Sequence, residues 1–194
     1  MWTAAILSVL LSASDPSAAK TSNVDERPSD HPLVPWYLPR SASLGSFVNR
    51  DLFSPHLRLA WEWTVVDQPR NALIVSMAFG TGLGANPQKP MTWHFQHVGL
   101  LGAAFRSDRQ LLHWGFSAMF GAVWYRAFWE PNTFFAEDRV LPYAEGRLQG
   151  GIMLAPHVRL ALYIGYAAPF IYTRGRPGNL FVGGFDFGVL VDWR

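Results

Sequence analysis

The chain has 194 residues, of which 49% are hydrophobic and 15% aromatic, with nine Trp and only 15% charged residues. A globular surface draws on about 25% charged residues, so this chain lacks the material for a large wetted surface, and its only Lys are Lys20 and Lys89. A net charge of +2, carried by scattered single residues, excludes the basic stripe that nucleic acid requires, and the absence of Cys excludes disulfides and thiolate metal sites.

Residues 1–19 hold an apolar run from Ala4 to Ala13, then Ser17-Ala18-Ala19, small residues suited to signal-peptidase cleavage before Lys20. The run is too short for a membrane helix, so a secretory signal peptide cleaved near Ala19 is expected. Residues 20–40 carry Pro28, Pro32, Pro35 and Pro39 among polar residues and read as a disordered, proline-rich lead-in. Trp36-Tyr37-Leu38 at its end either rests at a membrane interface or plugs one end of the fold.

From Ser41 onward the chain reads as strand-length blocks with period-two alternation. A first strand is placed at Ser41–Asn49. Leu57–Val66 sets Leu57, Leu59, Trp61, Trp63 and Val65 against Arg58, Ala60, Glu62 and Thr64. After a tight turn at Asp67–Arg70, Ala72–Thr81 alternates in the same way, and Gly82–Met91 is predicted to be a loose loop. Trp93–Phe105 has an unclear register: His94 and Gln96 fit an inward phase while Val98 and Leu100 fit an outward one, which a bulge near His97 would reconcile.

Ser107–Arg109 is predicted as the next tight turn, followed by a strand over Leu111–Phe128, a loose loop over Trp129–Asp138, and a strand over Val140–Leu154. Ala155–His157 turns into Val158–Tyr172. Thr173–Asn179, rich in Gly and Pro, forms the last loop before Leu180–Trp193. Tight turns thus alternate with loose loops around eight strands, as in an antiparallel barrel with short turns at one end.

The two faces decide which way such a barrel would be turned. The more polar face is mostly Ala, Gly and Ser with an occasional charge, which suits the narrow interior of eight strands. The other face is bulky and apolar, with Trp63, Trp93, Trp114, Trp124, Tyr172 and Trp193 near strand ends as membrane-interface aromatics. A soluble lipocalin-like barrel would have the reverse arrangement. The expected fold is therefore all-β: an eight-stranded antiparallel transmembrane β-barrel over residues 41–194 with a filled polar interior.

On this pattern the chain resembles the small eight-stranded outer-membrane proteins, the OmpA-type transmembrane domain and its OmpX-like relatives. Phe185, Phe187, Val189, Val191 and Trp193 are similar to the terminal strand that the family presents to the barrel-assembly machinery, although Arg194 follows the aromatic residue. The resemblance implies a Gram-negative outer-membrane location, with membrane lipid, lipopolysaccharide and envelope proteins as partners.

The inward residues with chemistry are Arg58, Glu62, His94, His113, Glu145, Arg147, Arg159 and Asp186. The three acids and three arginines should pair into a lumen charge network that plugs any pore, because an isolated charge there would cost several kcal/mol. A gated or proton-linked path is the alternative. Some relatives are lipid A-modifying enzymes, and their deacylases carry a His-x-Ser pair. No His here is followed two residues later by Ser, and His113 and Ser117 stand about 13 Å apart along one strand.

Palmitoyl-transferring barrels need an apolar internal slot, whereas this interior is charged; Asp138 in the external loops has no nearby His. His94 and His97, near the rim with Asn86 and Gln96, are three apart and would face opposite ways as metal ligands. Gly80–Gly84 is followed by no helix pattern and is not a nucleotide loop. No catalytic residue, metal or cofactor is assigned. The expected role is non-enzymatic: envelope structure, adhesion or docking of an envelope complex. Lipid A modification, or membership of an envelope-spanning transport or motility assembly, are the alternatives.

Overall fold

The structure, a computed structural model, describes residues 35, 37–49, 52–86, 89–109, 111–129, 135–170 and 182–193. The expected signal peptide, most of the lead-in, Tyr172 and the predicted loop Thr173–Asn179 lie outside these residues. Eight strands follow in order: β1 (Ser41–Asn49), β2 (Leu52–Asp67), β3 (Asn71–Asn86), β4 (Lys89–Arg109), β5 (Leu112–Trp129), β6 (Phe135–Ala155), β7 (Val158–Pro169) and β8 (Gly184–Trp193). Each pairs antiparallel with its neighbour, and β1 pairs with β8, so the barrel is closed.

Closure gives every strand a hydrogen-bonded neighbour on both sides, which is what a sheet needs if it is to stand in lipid. The seam between first and last strands is reinforced outside the ladders. Arg40 N donates to Ala60 O, and Trp193 N donates to Arg40 O. Both described ends of the barrel chain therefore meet at the end that carries the short turns 68–70, 110–111 and 156–157.

The alternation seen in sequence is the alternation of burial. On β2, Ser54, His56 and Arg58 are buried while Phe53, Leu57 and Leu59 are exposed. On β7, Arg159, Ala161, Tyr163 and Ala167 are buried and Leu162, Ile164 and Tyr166 are exposed.

Strands β2, β3, β4 and β6 are longer than expected, β7 and β8 are shorter, and three expectations are corrected. The predicted loop Gly82–Met91 is mostly ladder, with Gly82 opposite Gln96 and Gly84 opposite His94. These glycines are spacers, not breakers. A Cβ on Gly84 would collide with the His94 ring, so the lack of a side chain is what lets the imidazole lie across the lumen.

The second correction is that β4 has no bulge near His97. Its pairing with β5 runs unbroken from Trp93 to Arg109, and His94, Gln96, Val98 and Leu100 all face inward in one phase. The apparent conflict arises because this part of the lumen is apolar. The third is that Ser107–Arg109 belongs to β4, with Ser107 opposite Trp114 and Asp108 opposite His113. β4 runs to Arg109, and β5 starts at Leu112.

Glycine spacing recurs around the one large lumen ring of β7. A Cβ on Gly45 of β1 or on Gly188 of β8 would strike the Tyr163 hydroxyl. Gly183 and Gly184, where the chain enters β8, have φ of +90° and +124°, a region that other residues rarely adopt.

Candidate functional site

The lumen is built in layers, each set by which strands bring inward-facing residues to one height. At mid-height β2 supplies Arg58, β6 supplies Glu145 and Arg147, and β8 supplies Asp186. Arg58 grips Glu145 with both terminal nitrogens, Nη2 to Oε2 at 2.8 Å and Nη1 to Oε1 closer still. Arg147 Nε lies 2.7 Å from Glu145 Oε1, and its Nη2 donates to Asp186 Oδ2 at 2.6 Å. The Arg147 guanidinium also sits over the Tyr163 ring at 4.2 Å. His56 Nε2, 3.4 Å from Asp186 Oδ1 and 3.3 Å from the Tyr163 hydroxyl, completes the layer.

Two guanidiniums face two carboxylates here, so the layer is charge-balanced. Such balance is required: in a dry interior an unpaired ion costs several kcal/mol, while a paired and hydrogen-bonded one is tolerated.

A second ionic layer closes the short-turn end. Arg106 of β4 pairs with Asp192 of β8 and reaches Glu62 Oε2 at 3.3 Å. Arg159 of β7 donates to Asp108 Oδ2 at 2.6 Å and lies 3.4 Å from Asp192 Oδ2. Ser41 donates to Glu62 at 3.2 Å. Three carboxylates share two guanidiniums, with Asp108 and Glu62 the more exposed members.

The six residues expected to form one charge network thus fall into two layers. Arg58, Glu145, Arg147 and Asp186 come together, whereas Glu62 and Arg159 stand in the lower layer. Their partners Arg106, Asp108 and Asp192 are not among the residues expected to pair. The signal was present, since Arg106 and Asp108 continue the even-numbered phase of His94 on β4, but a turn assigned at Ser107–Arg109 hid it.

Between the layers lies a cavity of about 50 Å³, bordered by Arg58, Arg147, Arg106, Glu62 and the hydroxyls of Ser43 and Ser76. That is room for one or a few waters at about 30 Å³ each. Above the ionic layers the lumen is filled by Phe47, Leu100, Val123, Tyr125 and Tyr143, all buried, while Met119 borders the cavity below them. The filled interior is thus ionic in its lower part and apolar above that, with a few uncharged polar side chains near the far end. Farther up, Gln96 donates to Ser54 at 3.0 Å beside His94, which is fully buried. His113 is buried at the opposite end, across from Asp108. Among the described residues no cluster of three His, Asp or Glu side chains forms a cation site.

The outer wall is apolar and aromatic. Trp63 and Trp114 stand exposed toward the short-turn end, with half-buried Trp193, and Trp124 and Trp93 toward the other. Trp114 and Trp124 are ten residues apart on β5, with Phe116, Ala118, Phe120 and Ala122 facing outward between them. At a rise of about 3.4 Å and a tilt of about 40°, their separation along the barrel axis is about 26 Å, the height of an outer-membrane apolar band.

No protein-family model matches the chain, and no curated protein matches it in sequence. Among solved structures, Neisserial surface protein A superposes with a TM-score of 0.52 at 11% identity, over 79% of this chain and 92% of that one. The outer membrane enzyme PagL gives 0.49 at 9% identity, over 79% and 99%. With its closed ring of eight antiparallel strands and its likeness to the first of these, the chain has the fold of the small eight-stranded outer-membrane barrels.

Proposed function

We propose that this chain is a Gram-negative outer-membrane barrel that acts by what it presents, serving envelope structure, adhesion or docking of an envelope complex, not by conducting or transforming a solute. The observation that best supports this is the sealed lumen. Among the described residues two ionic layers and an apolar plug fill the lumen, and the cavity between the ionic layers, at about 50 Å³, is far too small for a solute. The apolar band of about 25 Å expected of such barrels matches the spacing of the Trp girdles.

Orientation follows from the connections. All the connections at one end, 68–70, 110–111 and 156–157, are short and suit a periplasmic end; the other end has two equally short ones, 50–51 and 87–88, but also the two longest, 130–134 and 170–183, which suit the outside. The lead-in would then emerge in the periplasm after cleavage near Ala19. The β8 pattern from Phe185 to Trp193 suits delivery by the barrel-assembly machinery, and lipopolysaccharide is the surrounding lipid.

A second reading, lipid A modification, has one observation in its favour. Thr81 and His97 are cross-strand partners and both are exposed on the outer wall, which puts a hydroxyl beside an imidazole at the interface. Acyl release from lipid A by the purified chain would establish it.

Heat-modifiability of outer-membrane fractions tests the main reading. A band that runs faster unboiled than boiled, with no current across planar bilayers and no acyl release, is the expected result. A periplasmic soluble protein with no shift would overturn it and favour a lipocalin-like carrier.

A further inference from the structure

The outer wall breaks its apolar rule at one place. Beyond the short-turn end, His97, Arg126 and Asp138 are the only His, Lys, Arg, Asp or Glu side chains on that wall among those described. All three gather on β4, β5 and β6 around Trp124. Arg126 donates to Asp138 Oδ2 through Nε at 3.1 Å and through Nη2, and the Trp124 indole N–H donates to Oδ1. His97 stacks on the Trp124 ring at 5.1 Å and 13°. Both members of the ion pair are close to half-exposed, and Arg126 Nη1 bonds to no described residue.

Height gives this cluster its meaning. Arg126 is two residues past Trp124, about 5 Å beyond the apolar band at the tilt used above. Farther out on the same wall Trp93 stacks on Phe128 at 4.3 Å and meets Phe95 edge-on at 5.1 Å. Phe128, opposite Trp93, is about 10 Å past the band by the same arithmetic, and Phe95, opposite Arg126, is at the level of the ion pair, yet Trp93 and Phe95 remain exposed. Acyl chains do not reach the level of Trp93 and Phe128, so hydrocarbon contact does not account for the exposed Trp93 ring.

We infer that this wall is a docking site for the phosphorylated sugar headgroup of an outer-leaflet glycolipid of the lipid A kind. The free edge of Arg126 and the His97 imidazole face the level of the headgroup phosphate. The Asp138 carboxylate accepts sugar hydroxyls while it holds the guanidinium flat against the wall. Trp93 and Phe95 offer ring faces to the C–H face of a sugar. A phosphoglycerol headgroup has no such face, which sets the preference for a glycolipid. Below the cluster, Phe79, Leu101 and Phe120 are exposed for the acyl chains.

The inference rests on the outer-membrane placement, and the experiment separates the two. The full chain is isolated in detergent, its fold is verified by heat-modifiability, and it is incubated with lipid A, dephosphorylated lipid A or phosphatidylglycerol; retained lipid is counted by native mass spectrometry. Wild type should retain lipid A over both other lipids. Arg126→Gln with Asp138→Asn, and separately Trp93→Leu with Phe95→Leu, should lower retention about 2–5-fold each, as expected for exposed charge-assisted or stacking contacts. Equal retention of the three lipids by wild type overturns the site even if a variant misfolds, and unchanged retention in both folded variants does the same. A chain that is not heat-modifiable overturns the placement itself.

Discussion

Removing Glu145 should damage the barrel more than removing it together with its partner. Glu145 is fully buried, accepts two hydrogen bonds from Arg58 and lies 2.7 Å from Arg147 Nε. In Glu145→Leu, two guanidiniums are left with Asp186 alone, and an uncompensated buried charge costs about 3–5 kcal/mol. In Arg58→Met the imbalance has the opposite sign, with Glu145 and Asp186 sharing Arg147, and the loss should be about 2–4 kcal/mol. In the double variant Arg147 and Asp186 still balance, so its stability should exceed that of either single variant. The coupling energy should be at least about 2 kcal/mol. Urea titration of the refolded chain in detergent micelles, followed by Trp fluorescence, reads this out. With a slope of about 2 kcal/mol per molar, Glu145→Leu should move the midpoint down by about 2 M and the double variant by less. Additive losses, with the double variant lowest of the three, would refute the view that charge balance governs this layer.

Three further outcomes are expected. Arg in place of Ala118, midway between the Trp114 and Trp124 levels, should cost about 2–4 kcal/mol of membrane-folded stability, whereas Arg in place of Ala85, near the far rim, should cost at most about 1 kcal/mol; vesicle refolding titrations of the two variants compare them. Gly84→Val should destabilise by about 1–3 kcal/mol because its side chain meets the His94 ring, and adding His94→Ala should restore part of that loss in the same titration. Truncating Tyr125 and Tyr143 to Ala opens the apolar plug but leaves both ionic layers, so bilayers holding this variant should still pass no steady current; a current would show that the apolar plug alone forms the seal.

Much of the barrel was legible from residue order alone, and the reason is local. In a strand of a closed barrel the neighbours at i±2 share one environment, so the lipid-facing set Leu57, Leu59, Trp61 and Trp63 and the lumen set Arg58, Ala60 and Glu62 separate by parity. The lengths of the strands were not legible. Glycine between Gly80 and Gly84 reads as a breaker, yet in the closed sheet it is the space into which a partner strand's side chain projects.

The polarity of β4 misled for a related reason. Val98 and Leu100 look outward-facing if every lumen position must be polar, and only the fold reveals an apolar layer there, shared with Met119, Val123 and Tyr143.

What the sequence determined by itself was the all-β alternation, the strand count and which face meets lipid, because each depends on hydrophobicity at a spacing of two residues. What only the tertiary structure decided was which charge meets which. Arg58 and Glu145 are 87 residues apart, and Arg106 and Asp192 are 86 apart. Their meeting depends on the stagger between strands around the barrel and on closure of β1 against β8. That stagger is set by the sum of all eight ladders, and no local pattern encodes it.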